Sequence, residues 1–328
     1  MKTGAFIIPT GIGASIGGFA GDASKYARRL AKNCRLIVNP NVVNAACFSG
    51  ITENMLYVEG YTLDRFFRGE IGLKESSDNK IGVVFDRAIP QDVLSIHINT
   101  INAVKTVYDI DVCDYEITEE NAGVEFFVDK SGVSTGNVKN LDTIKKSAQK
   151  LINAGCKAIA IVCLFPNDED DNYANGIGVD PVGGVEAVIS HYISKELQVP
   201  CAHAPAFQAY EILPNLVDPR CSAEYITPTF LPCILIGLSN APLITNFDDG
   251  ININDLDFLA IPHNSLGGIP ALEMNKLDKK IYAIRENSTI LDVTSIHLPL
   301  KCDIINTYND LTELIQAWKK PVFLWWKF

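Results

Sequence analysis

The chain has 328 residues, with 28 Lys+Arg against 39 Asp+Glu and a formal net charge of −11. An acidic chain with no run of basic residues lacks the field that holds phosphate polymers, so nucleic acid is excluded as its main partner. No apolar run approaches the roughly 18 residues of a membrane span, and a content of 47% apolar and 20% charged residues is that of a folded globular protein.

In chain order, the first unit covers residues 4–41 (GAFIIPTGIGASIGGFAGDASKYARRLAKNCRLIVNPN). An apolar strand leads into a polar loop with Gly17 and Gly18, then an amphipathic helix, then a second apolar strand ending in Asn39 and Asn41. Residues 81–116 repeat the pattern without glycines: IGVVFD, a helix from 91 to about 108, and a strand near Cys113. Between 119 and 140 charge and glycine content rise and helical periodicity is lost. The break predicted there gives an N-terminal lobe, 1–130, and a C-terminal lobe, 131–328, facing each other across a cleft, with a single wide sheet as the rival arrangement.

A helix over 141–153 leads into a second glycine unit. It runs from KAIAIVCLFPNDED through VDPVGGVEAVISHYISKEL, with Gly183 and Gly184, to VPCAHAPAF at 199–207. A third unit, 256–290, carries Gly267 and Gly268, and the tail PVFLWWKF at 321–328 reads as a closing strand whose Trp325 and Trp326 suit an oligomer contact. Each unit has the signature of βαβ, and continuous apolar strands imply a parallel sheet covered on both faces. The expected fold is therefore α/β, with repeated βαβ units, a mostly parallel sheet and two lobes around a cleft.

In such sheets ligands bind beyond the carboxyl ends of the strands, where helix N-termini present unpaired N–H groups. The three glycine pairs fall at that edge and suit a carboxylate or phosphate oxygen, although tight turns and close helix packing also need glycine. TGIGASIGG fits neither the dinucleotide fingerprint nor the phosphate loop, so no cofactor is expected. There is no CxxC or HExxH and the five histidines are scattered, so no metal is expected either. Nine cysteines, mostly in apolar runs, read as reduced thiols of a cytoplasmic protein without disulfides.

The second strands end in polar groups that can contact a ligand: Asn39, Asn41 and Asn44, His203, and Glu286 and Asn287. His203 lies between alanines, where an imidazole has few local uses and can exchange protons near neutral pH. Glu186 occupies the first turn of the second glycine helix and is a candidate base if it faces the cleft, whereas His191, five residues on, lies on another face. Asp180 reads most simply as a helix cap. Cys163 in IVCLF has the position of a racemase nucleophile, but no symmetric partner exists and an apolar strand favours inert packing. Ser265, in PHNSLGG, lacks a nucleophile elbow and is retained as a ligand contact. Arg65 stands among carboxylates, as in a structural ion pair, and can alternatively clamp a substrate carboxylate.

Taken in order, IIPTGIGASIGGFAGD, NPNVVNAA, YVEGYTLDRF, VDPVGGVEAVISH, PCAHAP and RENSTILDVT resemble the uncharacterised family catalogued as domain of unknown function 3326, over nearly the whole chain. That resemblance implies no settled activity, and Asn39 stands where the family pattern leads one to expect a histidine. More distantly, residues 141–165 resemble the two-lobed Asp/Glu racemase-like and hydantoinase-related proteins, which implies small carboxylates or cyclic amides as substrates. The leading expectation is an enzyme for a small anionic metabolite that isomerises, racemises or hydrolyses it by proton transfer through His203 and Glu186. The alternative is a non-catalytic ligand-binding or regulatory protein, and a third reading uses a metal held by His203 with Asp180 or Glu186. A homo-oligomer is compatible with all three.

Overall fold

The structure is a computed structural model that describes residues 1–77, 79–166, 172–208 and 215–318. All four βαβ units form. In the first, strands Thr3–Phe6 and Arg35–Val38 pair in parallel around helix Ser24–Ala31. Strands Ile81–Phe85 and Val112–Ile117 do so around Gln91–Tyr108. Ala158–Leu164 and Cys201–Ala206 flank Gly183–Leu197, and Phe258–Pro262 and Lys280–Ile284 flank Ile269–Lys276. The closing strand expected at 321–328 lies outside the described residues.

The units assemble into two parallel sheets. A six-stranded sheet has the order 303–305, 280–284, 258–262, 3–6, 35–38, 55–57, and a four-stranded sheet has the order 201–206, 158–164, 81–85, 112–117. The first sheet thus takes its strands from both ends of the chain, and the second is inserted between its third and fourth strands in chain order. A boundary at 130 would cut Ile81–Phe85 from its hydrogen-bonded neighbour Ala158–Leu164. The glycine-rich stretch there forms an antiparallel hairpin, Val124–Val128 with Ser134–Val138, which packs on helix Gly183–Leu197.

Alternation along each strand feeds a core on either side of it. In the six-stranded sheet Phe6, Leu36, Val38, Phe258 and Ala260 face one core, while Ala5, Ile37, Leu259 and Ile261 face another. The first of these cores continues into the inserted sheet through Val83, Phe85, Ala160 and Val162, and helix Leu231–Ser239 lies within it, packed against strands 158–164 and 201–206. The two sheets are therefore joined by shared packing. One departure from the cysteine expectation is a disulfide between Cys113 and Cys156, where the end of helix Leu141–Asn153 returns against the edge strand Val112–Ile117.

Loop 7–18 crosses between the sheets and is held by asparagines. Asn39 is buried; its Oδ1 accepts from the Ile8 N–H at 3.0 Å and its Nδ2 donates to the Ile8 carbonyl at 2.7 Å. Asn287, fully buried, accepts from the Ile16 N–H at 3.0 Å and donates to the Ile16 carbonyl and the Tyr308 hydroxyl, both at 2.8 Å. Truncating it strands the buried Tyr308 hydroxyl and the half-buried Ile16 N–H and carbonyl, and an unpaired group costs about 1–3 kcal/mol where it is buried. Asn287→Ala is therefore expected to lower unfolding free energy by about 3 kcal/mol in urea titration, and a loss below about 0.5 kcal/mol would show that the loop is not anchored there.

Candidate functional site

A cavity of about 100 Å³ lies at the carboxyl edge of both sheets. Its walls are loop 9–20, the 40–46 segment that follows strand Arg35–Val38, the segment around Tyr173 and Asp180, the start of helix Gly183–Leu197, strand Cys201–Ala206, and Glu224, Phe230 and Cys233. Its position follows from topology. In the six-stranded sheet the chain winds outward in one direction from Thr3–Phe6 and in the other from Phe258–Pro262, and loop 7–18 leaves the sheet at that switch point. A second, smaller hollow shares Thr10, Asn41, Asn44 and His203 with the first and adds Glu59, Ser190 and His191.

His203 and Glu186 are brought together. His203 extends toward the helix Gly183–Leu197, and its Nε2 stands 3.8 Å from Glu186 Oε2, beyond hydrogen-bond reach. Its Nδ1 lies 2.9 Å from Ser190 Oγ. Ser190 is four residues after Glu186, so the two share a helix face. The Ser190 hydroxyl lies 3.4 Å from the Glu186 carbonyl and 3.3 Å from the Ala187 carbonyl, within donating reach of each. Nδ1–H donating to Ser190 Oγ leaves the Nε2 lone pair facing Glu186, and the Ser190 hydroxyl donating to Nδ1 is the other arrangement that the 2.9 Å contact allows.

Burial sets the charge of both groups. It pushes the His203 imidazole down to about 3, with a contribution from His191. It pushes the Glu186 carboxyl well above its ordinary value, aided by the neighbouring Asp180 and Glu224 carboxyls. The pair is thus a neutral carboxylic acid beside a neutral imidazole, since burial disfavours the separated ions. Glu186 is 8% exposed, and its Oε1 has no hydrogen-bond partner.

Glu224 and Tyr173 were not singled out from the sequence. Burial, with Asp180 nearby, raises Glu224 to about 8, opposed by a hydrogen bond with the Tyr173 side chain. Neither residue sits in a periodic or motif-bearing stretch. Ser190 did have a signal, its four-residue spacing from Glu186.

The remaining candidates separate by location. Asn39 and Asn287 are spent on backbone groups, and Asn41 accepts from Thr10 Oγ1 and donates to the Pro9 carbonyl, both at 3.2 Å. Asn44 donates to the Tyr57 hydroxyl at 3.1 Å, while its buried Oδ1 is unpartnered. Asp180 Oδ1 accepts from the Val182 and Gly183 N–H groups, and Ser134 Oγ accepts from the Gly184 N–H at 2.9 Å, so the protein's own side chains fill this helix start. Gly184 is required by packing, because a Cβ there would meet the Ser134 carbonyl oxygen at 2.0 Å. Gly17 and Gly18 line the cavity in a turn that precedes helix Ser24–Ala31, and Gly17 has φ +84°.

Gly267, Gly268 and Ser265 are not among the cavity's lining residues, and Ser265 is buried with its hydroxyl donating to the Pro262 carbonyl. Glu286 accepts from the Tyr308 N–H at the start of the last helix. Cys163 is buried in the core beneath the inserted sheet, where burial raises its thiol well above the ordinary range. Arg65 pairs with Glu70 at 3.2 Å and donates to the Gln198 side chain. Among the described residues, no group of three or more His, Cys, Asp or Glu side chains is arranged to hold a metal ion.

The family model described as Protein of unknown function (DUF3326) matches residues 3–324. The chain belongs to that family. It is 37% identical over 326 residues to an uncharacterised lipoprotein of a Synechococcus strain, with 97% of this chain and 90% of the relative covered. No solved structure matches. The relative's name gives no support to the cytoplasmic setting expected from cysteine usage, and among the described residues no helix is long and apolar enough to cross a membrane.

The buried acids make stability depend on pH. Folded Glu224 keeps its proton up to about 8, whereas its ordinary value is 4.5, so between these values the unfolded chain holds fewer protons and stability falls as pH rises. His203 acts at the other end, because its depressed value means stability is lost as pH falls from its ordinary 6.5 toward 3. Glu224→Gln is expected to gain stability relative to the native protein as pH rises from about 5 to about 8, read as a growing difference between urea midpoints. A difference independent of pH would show that Glu224 titrates normally.

Proposed function

We propose that the protein is an enzyme that moves a proton on a small carboxylate or cyclic amide held in the cavity between the two sheets, with Glu186 as the acid and His203 as the base. The observation that carries this reading is the inverted ownership of one proton. In water an imidazole takes the proton of a carboxylic acid; here burial leaves it on Glu186, and with Nδ1–H donating to Ser190 the His203 Nε2 lone pair is free, 3.8 Å away. The gap is too long for the two to satisfy each other, which favours a substrate atom between or beside them.

In the proposed step the Glu186 O–H bond breaks as its proton passes to the substrate, and His203 Nε2 takes the proton that the substrate loses. The pair then carries opposite charges and returns to its resting form by transfer of that proton from His203 to Glu186. One proton enters and one leaves, as isomerisation or racemisation requires; hydrolysis would use the same base on water. The cavity's small volume favours a metabolite of few heavy atoms.

The test is a thermal-shift screen of small acids and cyclic amides, followed by incubation of each hit with enzyme in D₂O and mass spectrometry. Native protein is expected to place deuterium on a hit or convert it, with Glu186→Gln and His203→Gln slower by about 100-fold or more. Hits that are bound yet recovered without deuterium or conversion would mark a binding or regulatory protein instead, and undiminished turnover by His203→Gln would remove the imidazole from the reaction.

A further inference from the structure

The groups that line the cavity favour one of the two ligand classes over the other. Among the described lining residues there is no lysine or arginine to meet a carboxylate. Arg220 stacks on the lining residue Phe19, but its guanidinium is held by the Asp218 carboxylate at 2.9 and 3.1 Å and by the Gly176 carbonyl at 2.9 Å.

Helices Gly183–Leu197 and Leu231–Ser239 both reach the wall near their starts, and their first N–H groups are taken as well. Val182 and Gly183 donate to Asp180, and Gly184 donates to Ser134. Leu231 donates to Thr229 Oγ1 and Cys233 to the Ala46 carbonyl, both at 3.2 Å, and Pro232 between them has no N–H. The burial that keeps a proton on Glu186 also works against a ligand anion brought in without a counter-charge.

Two groups on the wall remain open, and they differ in kind. Glu186 is more than nine-tenths buried with no partner for Oε1, and as the acid of the proposed reaction it offers an O–H donor. Asn44 lines both the cavity and the smaller hollow; its Nδ2 is used on the Tyr57 hydroxyl, and its buried Oδ1 is an acceptor without a donor. A ligand that brings one carbonyl and one N–H, and no charge, completes both.

We propose that the ligand is an uncharged amide, seated with its carbonyl on the Glu186 O–H and its N–H on Asn44 Oδ1. The proposal rests on Glu186 as the acid of the proton-transfer reading, and it narrows the substrate from carboxylate or cyclic amide to the amide. A small ring suits the site further, because it holds carbonyl and N–H in a fixed relation and loses no internal rotation on binding.

The experiment uses the full chain and calorimetry at neutral pH with two matched pairs of probes. γ-Butyrolactam and γ-butyrolactone are of one size and exchange a ring N–H for oxygen; succinimide and succinamate exchange a neutral ring for its opened anion. The lactam is expected to bind about five-fold or more tighter than the lactone, as the loss of one buried hydrogen bond requires, and succinimide tighter than succinamate. Asn44→Ala should bring lactam and lactone to equal affinity, whereas Glu186→Gln, whose side-chain amide still donates, should keep lactam affinity within about three-fold. Should either variant fail to fold, the comparison on the native protein decides. Lactone bound as tightly as lactam, succinamate bound as tightly as succinimide, or no binding by any of the four would overturn the proposal. Amides bound without deuterium exchange would retain the amide seat and sink the proton-transfer reading, while exchange confined to carboxylates would do the reverse.

Discussion

The structure depends on how buried backbone groups are paired where the first strand leaves its sheet. At the carboxyl end of Thr3–Phe6 the chain must cross to the other sheet, and its N–H and C=O groups leave the ladder while still out of reach of water. A neutral amide is suited to this place because one side chain offers both a donor and an acceptor. Asn39 does this for Ile8 and Asn287 for Ile16, and the Gly11 carbonyl accepts the Ser134 N–H of the inserted hairpin at 3.0 Å. Glycines at Gly11, Gly13 and Gly17 supply the positive φ values that such a path needs. The loop so fixed is one wall of the cavity, so the site's shape follows from backbone satisfaction made elsewhere.

The same fixing decides which polar residues remain for a ligand. Side chains at the strand ends look alike in sequence, yet Asn39, Asn41 and Asn287 are consumed by the loop, and only Asn44 keeps an open acceptor. The helix start at Gly183 is likewise consumed, by Asp180 and Ser134, so its partial positive charge meets groups of the protein itself. Among the groups that line the cavity are the Asp180, Glu186 and Glu224 carboxyls, and Glu186 and Glu224 tolerate burial by holding their protons.

Much of the fold was legible in the sequence because strands buried on both faces write continuous apolar runs, and all four βαβ units follow from them. The assembly of units was not legible. Gly4 pairs with Phe258 across the chain, and nothing local to either segment records that choice. The insertion of one sheet into the other follows from it, and it places paired strands on both sides of residue 130. In the site, His203 and Glu186 stood out because each is poorly explained by its local surroundings. Ser190 was legible through helix spacing and was missed, while Glu224 and Tyr173 reach the cavity only through tertiary placement. The expectation of free thiols failed at Cys113 and Cys156, which lie 43 residues apart in sequence on elements that meet only after folding.

The insertion also explains how Glu186 and His203 come to face each other. Glu186 and His203 both belong to the inserted sheet's last βαβ unit, one on its helix and one on its second strand, so their spacing is fixed within a single compact element. Loop 7–18 and Asn44 belong to the other sheet, so the cavity exists only where the two sheets meet. That junction is not a free hinge: one apolar core runs through both sheets and around helix Leu231–Ser239, and opening it would part close-packed side chains. A cavity held in this way is preformed. The work of desolvating Glu186 and His203 is done by folding.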